Sequence, residues 1–367
     1  MKKSISVVSI GDPLNSKTWS GTPYNICTVL KKRGCFNEAI DSSKISNFRR
    51  VLAYVYSMLL YGLTDIKRGA VFRKYYSKRI FIEAHNDINN ILHMGTLDMP
   101  VFSKDQNHHY LYSDSTWHLW GNQVSNRNSY SEKLKTDAEH LEKLSYENCK
   151  HIFSISEYMK QDLIVHYELS PDKITVVGTG TGNIKPFIEE KDYSTKTLLF
   201  VAKNRFEDKG GLIVKDAIKL VQMRDPSIKL IIVGDDNYKS YFVDTPNVTI
   251  YGYVEWDFLQ NLFNKSSIFI MPALNEPWGL VYLEALKCKM PIIGLNKNSL
   301  PEITQNGKYG FLINDADPKL LADTIIDAFS DIERLKRMGR EGQKYCLNKY
   351  TWENVVDKII NEIEIEG

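Results

Sequence analysis

The chain has 367 residues, 43% of them hydrophobic and 25% charged, and a formal net charge of +2. That length predicts two domains rather than one core, and the near-balanced charge argues against a nucleic-acid partner. Five cysteines, at positions 27, 35, 149, 288 and 346, show neither paired nor metal-ligand spacing, so a reduced, cytoplasmic setting is the simplest account.

The first element predicted is a buried strand over Ile5 to Ile10, reached too soon after Met1 for a signal peptide. It leads through Trp19, Ser20, Gly21 and Thr22 into a helix, a small-residue turn that lets backbone approach a phosphate or a sugar hydroxyl. The turn is not G-x-G-x-x-G, so no dinucleotide is implied. Between residues 44 and 79, Arg49, Arg50, Lys67, Arg68, Arg73, Lys74, Lys78 and Arg79 surround an apolar run from Val51 to Leu63. The run falls short of the roughly 18 to 20 residues that span a bilayer. Two readings of it stay open: an apolar face resting on an anionic leaflet, peripheral on the inner side of the cell membrane, or a core helix with a solvated basic rim.

Further strands are predicted at Ile80 to Glu83, Tyr110 to Ser113, Ile152 to Ile155 and Ile174 to Val177. A polar, aperiodic stretch from Lys185 to Lys196 reads as a linker. Beyond it the alternation of buried strand and helix restarts, with strands at Thr197 to Ala202, Lys229 to Gly234, Val248 to Gly252, Ile268 to Met271 and Pro291 to Gly294. The last helix carries Val355, Val356, Ile359, Ile360 and Ile363 on one face behind a capping Thr351.

The densest chemistry lies between Asn275 and Pro291. Glu276 follows a strand in a loop, whereas Glu284 lies inside a helical pattern that starts at Gly279. At about 1.5 Å rise per residue, Glu284 is roughly 7 Å beyond the free amides near Gly279, the reach from a diphosphate to a ribose. This stretch resembles the E-x7-E signature, with its Glu-Pro-aromatic-Gly-Leu core, of family 4 retaining glycosyltransferases. The resemblance implies the GT-B arrangement: two doubly wound, Rossmann-like α/β domains facing across a cleft, over 1–188 and 189–345, with residues 346–367 returning to the first. It also implies that Glu276 contacts hydroxyls of the transferred sugar, that the amides of Gly279, Leu280 and Val281 hold the diphosphate, and that Glu284 binds the ribose.

Other segments resemble the same family. Arg205 and Lys209, in a loop ending Lys-Gly-Gly, would stabilise a departing diphosphate. The family spacing favours Lys209 over Arg205. Gly21 would be a donor-facing glycine, and Asp114 stands where the family has a group beside the acceptor, although it is equally placed to cap the following helix. His85 is a second acceptor-side candidate. Asp235 and Asp236 resemble a metal-binding Asp-x-Asp superficially, and the resemblance implies no metal and no cofactor. Asn298 and Ser299 replace the two glycines of the family's Gly-Gly-x-Pro-Glu loop at Leu300 to Glu302. The activity implied is transfer of a hexose from a UDP- or GDP-linked sugar to a glycan or lipid-linked acceptor. A GT-B epimerase or hydrolase and a non-catalytic sugar-nucleotide binding module are the alternatives.

Overall fold

Runs such as Ile5–Ser9 and Ile292–Leu295 are buried along their whole length, the mark of strands covered on both faces. In the computed structural model, which describes residues 4–44, 46–62, 66–83, 90–102, 106–121 and 130–365, with side chains in those ranges except 78–83, such runs build two six-stranded sheets. Every strand pairing in them is parallel. The chain divides into one unit of Met1–Gly180 with Thr351–Gly367 and a second of Thr181–Tyr350.

The first unit contains β1 (Ile5–Ser9), α1 (Thr22–Arg33), β2 (Phe36–Asp41), α2 (Asn47–Tyr61), α3 (Ala70–Glu83), β3 (Asn90–Met94), β4 (His108–Ser113), α4 (Trp117–Gly121), α5 (Glu132–Asn148), β5 (His151–Ser154), α6 (Glu157–Val165) and β6 (Ile174–Val176). The second contains β7 (Thr197–Val201), α7 (Gly211–Arg224), β8 (Lys229–Val233), β9 (Val248–Tyr251), α8 (Trp256–Lys265), β10 (Ile268–Ile270), α9 (Leu280–Lys287), β11 (Ile292–Leu295), α10 (Leu300–Ile303), β12 (Gly310–Ile313), α11 (Pro318–Ser330) and α12 (Ile332–Lys349). A last helix, α13 (Trp352–Ile365), belongs to the first unit.

Strand order is β2-β1-β3-β4-β5-β6 in one sheet and β12-β11-β10-β7-β8-β9 in the other. Connections leave β1 and β7 first to one side and later to the other. The order therefore reverses between β1 and β3 and between β7 and β10, and a crevice opens at the carboxyl ends of the strands at each reversal. Two α/β domains of this kind are the doubly wound architecture expected.

Three expectations are corrected. Residues 80–83 close α3 instead of forming a strand: Phe72 and Tyr76, one helical turn apart, are buried in a cluster with Tyr61 and Trp117. The strand in that part of the sheet is β3, which the sequence hides because its Asn90 and His93 are polar. His93 is fully buried and satisfied, its ring nitrogens 2.8 Å from Asp98 and 2.9 Å from His109. Over the described part of the 51–63 run, which ends at Gly62, the core-helix reading holds for one face only. α2 buries Ala53, Ser57 and Tyr61, while Phe48, Val51, Leu52, Val55, Tyr56, Met58 and Leu59 are exposed. No helix among the described residues is long and apolar enough to cross a membrane.

The third correction concerns the polar stretch at 185–196, which is packed into the second unit and does not act as a free linker. Lys191 donates to the carbonyls of Phe263, Asn264 and Ser266 at 2.8, 2.9 and 2.8 Å, all at the end of α8. Lys289 donates to Glu189 O at 2.6 Å, and Phe187 N–H to Lys287 O at 3.1 Å. At the other boundary, Thr351 Oγ1 caps α13 by accepting Asn354 N–H at 3.1 Å. The helix buries Val355, Val356, Ile359 and Ile363 in the first unit, and Arg33 of α1 makes a two-pronged bond to Asp357, both contacts at 2.7 Å.

Burial pushes the Lys191 ammonium down, to about 7, and three backbone carbonyls take all of its N–H donors. Lys191→Met is expected to strand those carbonyls and cost about 2–4 kcal/mol. The denaturant midpoint of the full chain, followed by far-UV circular dichroism, should fall with an unchanged m-value; an unaltered midpoint would show that the strap contributes nothing.

Candidate functional site

The reversal between β7 and β10 is where charge collects in the second unit. The loop after β7 carries Arg205, Asp208 and Lys209, and the loop after β10 carries Asn275 and Glu276. Lys209 Nζ lies 3.4 Å from Glu276 Oε2, both side chains less than a fifth exposed. Arg205 sits behind this pair: its Nε is 2.9 Å from Asp208 Oδ2 and its Nη2 donates to Asn275 O at 2.6 Å. The carbonyl of Asp208 in turn accepts the N–H groups of Leu274 and Asn275 at 2.8 and 3.1 Å. The two loops are thus stitched together, and Arg205 acts as a brace between them.

Glycine explains how they come so close. Gly210 has φ +82°, and a Cβ there would stand 2.1 Å from Pro272 O. Only a residue without a side chain lets the Lys209 loop reach the end of β10. Gly279, the N-cap of α9, also has positive φ, and a Cβ on it would meet the Tyr282 ring at 2.6 Å and Glu276 Cγ at 3.1 Å. Glu276 therefore folds back against Gly279, at the start of α9. Tyr282 is buried and donates to Met271 O at 3.0 Å, anchoring α9 to β10. Ser299, in the position expected to hold glycine, donates to Pro277 O and so ties the next loop to the Glu276 loop.

Glu284 sits deeper, only 8% exposed. Burial raises its carboxyl to about 7 against the opposing pull of backbone N–H bonds from Ile184 and Asn183 and of the Lys287 charge. A Cβ on Gly182 would come within 2.1 Å of Glu284 Oε1. A carboxylate accepts about four hydrogen bonds, so the two amides leave acceptor capacity for a pair of hydroxyls.

In the first unit, Gly21 lies beyond the end of β1 and forms the N-cap of α1 with φ +83°. It ends a run of three left-handed residues with Trp19 (φ +40°) and Ser20 (φ +53°), a strained backbone of the kind held at functional sites. The Trp19 ring packs edge-on against Tyr112, 6.0 Å between centroids. Asp114 follows β4 close to Tyr112, whose hydroxyl it helps to raise, burial being the larger cause. The cap of α4 is supplied by Thr116, whose Oγ1 accepts Leu119 N–H at 3.1 Å, so Asp114 is not needed for that task. His85 lies outside the described residues. Asp235 and Asp236 are engaged in a turn, the first accepting Asn237 N–H at 2.9 Å and the second 2.6 Å from Lys239 Nζ.

Lys209, Arg205, Glu276, Gly279, Leu280, Val281 and Glu284 are thus gathered in the second unit, and Gly21 and Asp114 at the strand ends of the first. Sequence reasoning missed Asp208, Asn275 and Tyr282. The Arg205 to Asp208 spacing of i, i+3 was the available signal, but i, i+3 charge pairs are commonplace. Chemically, the second-unit cluster offers two cations and a helix N-terminus to an anion, and two carboxylates to hydroxyls.

Residues 183–345 match the family model described as glycosyl transferases group 1. The chain is 25% identical over 239 residues to the capsular polysaccharide biosynthesis glycosyltransferase CapM of Staphylococcus aureus, covering 59% of this chain and 62% of the relative. A second relative, an uncharacterized glycosyltransferase of Methanocaldococcus jannaschii, is covered over 61% of its length, so the matches span less than two thirds of these curated relatives. Among solved structures, sucrose-phosphate synthase from Thermosynechococcus elongatus superposes with a TM-score of 0.72 at 14% identity, covering 100% of both chains. Anabaena HepE, solved in complex with UDP and glucose, gives 0.64 at 12% identity, covering 98% of this chain and 99% of that one. The fold is that of the two-domain, Rossmann-like GT-B structures.

Gly210→Ala is expected to strain the left-handed turn and force the loop off Pro272, destabilising the protein by about 2 kcal/mol or more. Thermal unfolding should shift down by about 5 °C or more. A melting temperature equal to that of the parent would mean that the close approach of the two loops is dispensable.

Proposed function

We propose, from the match of residues 183–345 to the model described as glycosyl transferases group 1, that the chain is a retaining glycosyltransferase. It moves a hexosyl group from a UDP- or GDP-linked sugar to a hydroxyl of a glycan or a lipid-linked oligosaccharide, without a metal. The observation that carries this reading is the Lys209–Glu276 pair, 3.4 Å apart at the reversal between β7 and β10.

In the free protein each member of the pair satisfies the other. A bound donor divides them: the diphosphate takes Lys209, and the sugar hydroxyls take Glu276. The start of α9 adds about half a positive charge and free N–H groups at Gly279, Leu280 and Val281, so the full charge of Lys209 is the larger contribution. Arg205 holds the Glu276 loop and supplies a further cation at the departing phosphate. Glu284 receives the ribose hydroxyls. As the bond between the anomeric carbon and the phosphate oxygen breaks, charge builds on the diphosphate, where these groups are preorganised. The acceptor oxygen bonds to the same face of the anomeric carbon and its proton passes to the leaving phosphate. In the first unit, Gly21 is the donor-facing glycine of this reading and Asp114 the carboxylate that orients the acceptor hydroxyl.

Glu276→Ala and Lys209→Ala should each reduce transfer at least 100-fold, about 2.7 kcal/mol of transition-state stabilisation, with unchanged circular dichroism. Full activity in either folded variant would sink the assignment. A thermal-shift screen of nucleotide sugars identifies the donor, because a true ligand stabilises by mass action. UDP-glucose is the first to try, given the ligands of the HepE structure.

The raised carboxyl of Glu284 also sets a pH dependence. Its value of about 7 exceeds the ordinary 4.5, so the folded protein holds this proton more tightly than the unfolded chain. The resulting contribution to stability is present below about pH 4.5 and is lost as pH rises through 7. Ribose hydroxyls bond more strongly to the ionised carboxylate, so nucleoside diphosphate affinity should rise as pH passes through 7. Titration calorimetry between pH 6 and 8 should show about a several-fold gain that Glu284→Gln lacks; parallel profiles would remove Glu284 from the ribose site.

A further inference from the structure

A helix that is apolar all round normally lies inside a core, and α2 is apolar nearly all round without doing so. At about 100° per residue, its exposed Phe48, Val51, Leu52, Val55, Tyr56, Met58 and Leu59 span an arc of roughly 160°, opposite the buried Ala53, Ser57 and Tyr61. Exposure reaches 73% at Phe48 and 80% at Leu59. No charged or amide side chain interrupts this outer face between Val51 and Leu60. A continuous apolar strip of that length marks an interaction surface.

The charges around it select the occupant. Residues 42–77 contain seven lysines and arginines and a single acid, Asp65, outside the described residues. Lys44, Arg49, Arg50, Lys67 and Lys74 are exposed. A second copy of this chain would set one cationic rim against another whichever way two α2 helices paired. An anionic lipid leaflet instead offers negative headgroups to the rim and acyl chains to the strip.

We propose that the outer face of α2 seats the first unit on an anionic membrane leaflet, with the helix lying in the interfacial plane. Phe48, Val51, Leu52, Val55, Leu59 and their neighbours enter the acyl boundary, and Arg49 and Arg50 meet the headgroups at the helix start. The seat involves no residue of the donor site, so it stands or falls apart from the transfer chemistry.

The test is flotation of the full chain with vesicles of phosphatidylcholine, either alone or containing about 30 mol% phosphatidylglycerol. The parent protein should bind the anionic vesicles at least tenfold more strongly than the neutral ones, and less strongly as salt is raised. The double variants Val55→Glu/Leu59→Glu and Arg49→Glu/Arg50→Glu should each lose at least tenfold in binding. Their melting temperatures and their nucleotide-induced thermal shifts should match those of the parent. Equal flotation of parent and variants would overturn the proposal. So would a parent that ignores vesicles but forms a dimer in sedimentation that Val55→Glu/Leu59→Glu abolishes, since the face would then pair two copies.

Discussion

The site depends on a single close approach, that of the backbone at Gly210 to the carbonyl of Pro272. Parallel strands that neighbour one another where the strand order reverses leave a crevice at their carboxyl ends, but a crevice alone does not bring a lysine to a glutamate. That requires the loop after β7 to lie against the end of β10, where any Cβ would collide at 2.1 Å. Once the loops touch, Asp208 O takes two amides of the opposite loop and Arg205 takes one of its carbonyls. Lys209 and Glu276 then have little freedom in where they point.

Charge in this unit is handled by backbone as much as by ion pairing. Lys191 is surrounded by three carbonyls, Lys289 by two, and Glu284 by two amides. Buried charges held by peptide dipoles stay in place without a mobile counter-ion. The same strap of chain, from 181 to 191, fixes the depth of Glu284 through Gly182 and Lys287, whose Nζ is 3.2 Å from Gly182 O. Residues 182–184, immediately before the stretch that looks most like a tether, therefore wall Glu284.

The first unit follows another logic. Its β1 turn stores left-handed strain at Trp19 and Ser20, and its sheet carries a buried chain of Ser42, Asp98, His93 and His109 joined by hydrogen bonds of 2.8 to 3.0 Å. Such a network rigidifies the carboxyl edge of the sheet, on which Gly21 and Asp114 stand. The apolar outer face of α2 is the exception to this packing, and it is an exception in hydrophobicity, not in charge.

Much of this was legible in one dimension. Alternation of short apolar runs with helical periods predicts two doubly wound units, because a strand buried on both faces must be apolar throughout. The spacing of Glu276, Gly279 and Glu284 encodes a loop acid, a helix start and a helix acid, since helical rise is constant. Local pattern could not place β3, whose polar His93 becomes tolerable only beside Asp98, nor tell a strand from a helix end at 80–83. It could not see that the stretch at 185–196 is bolted down, because Lys191 finds its acceptors at the end of α8, Lys196 finds Asp225 after α7, and Lys289, beyond α9, donates back to Ile188 and Glu189, all far along the chain. Nor could it say which face of α2 is buried, since both faces are apolar. The sequence by itself determined which chemical groups exist and their local spacing. Only the tertiary structure decided that Lys209 and Glu276, 67 positions apart in the chain, stand 3.4 Å from each other, because long-range contact depends on how strands order in a sheet and where a missing Cβ lets two loops meet.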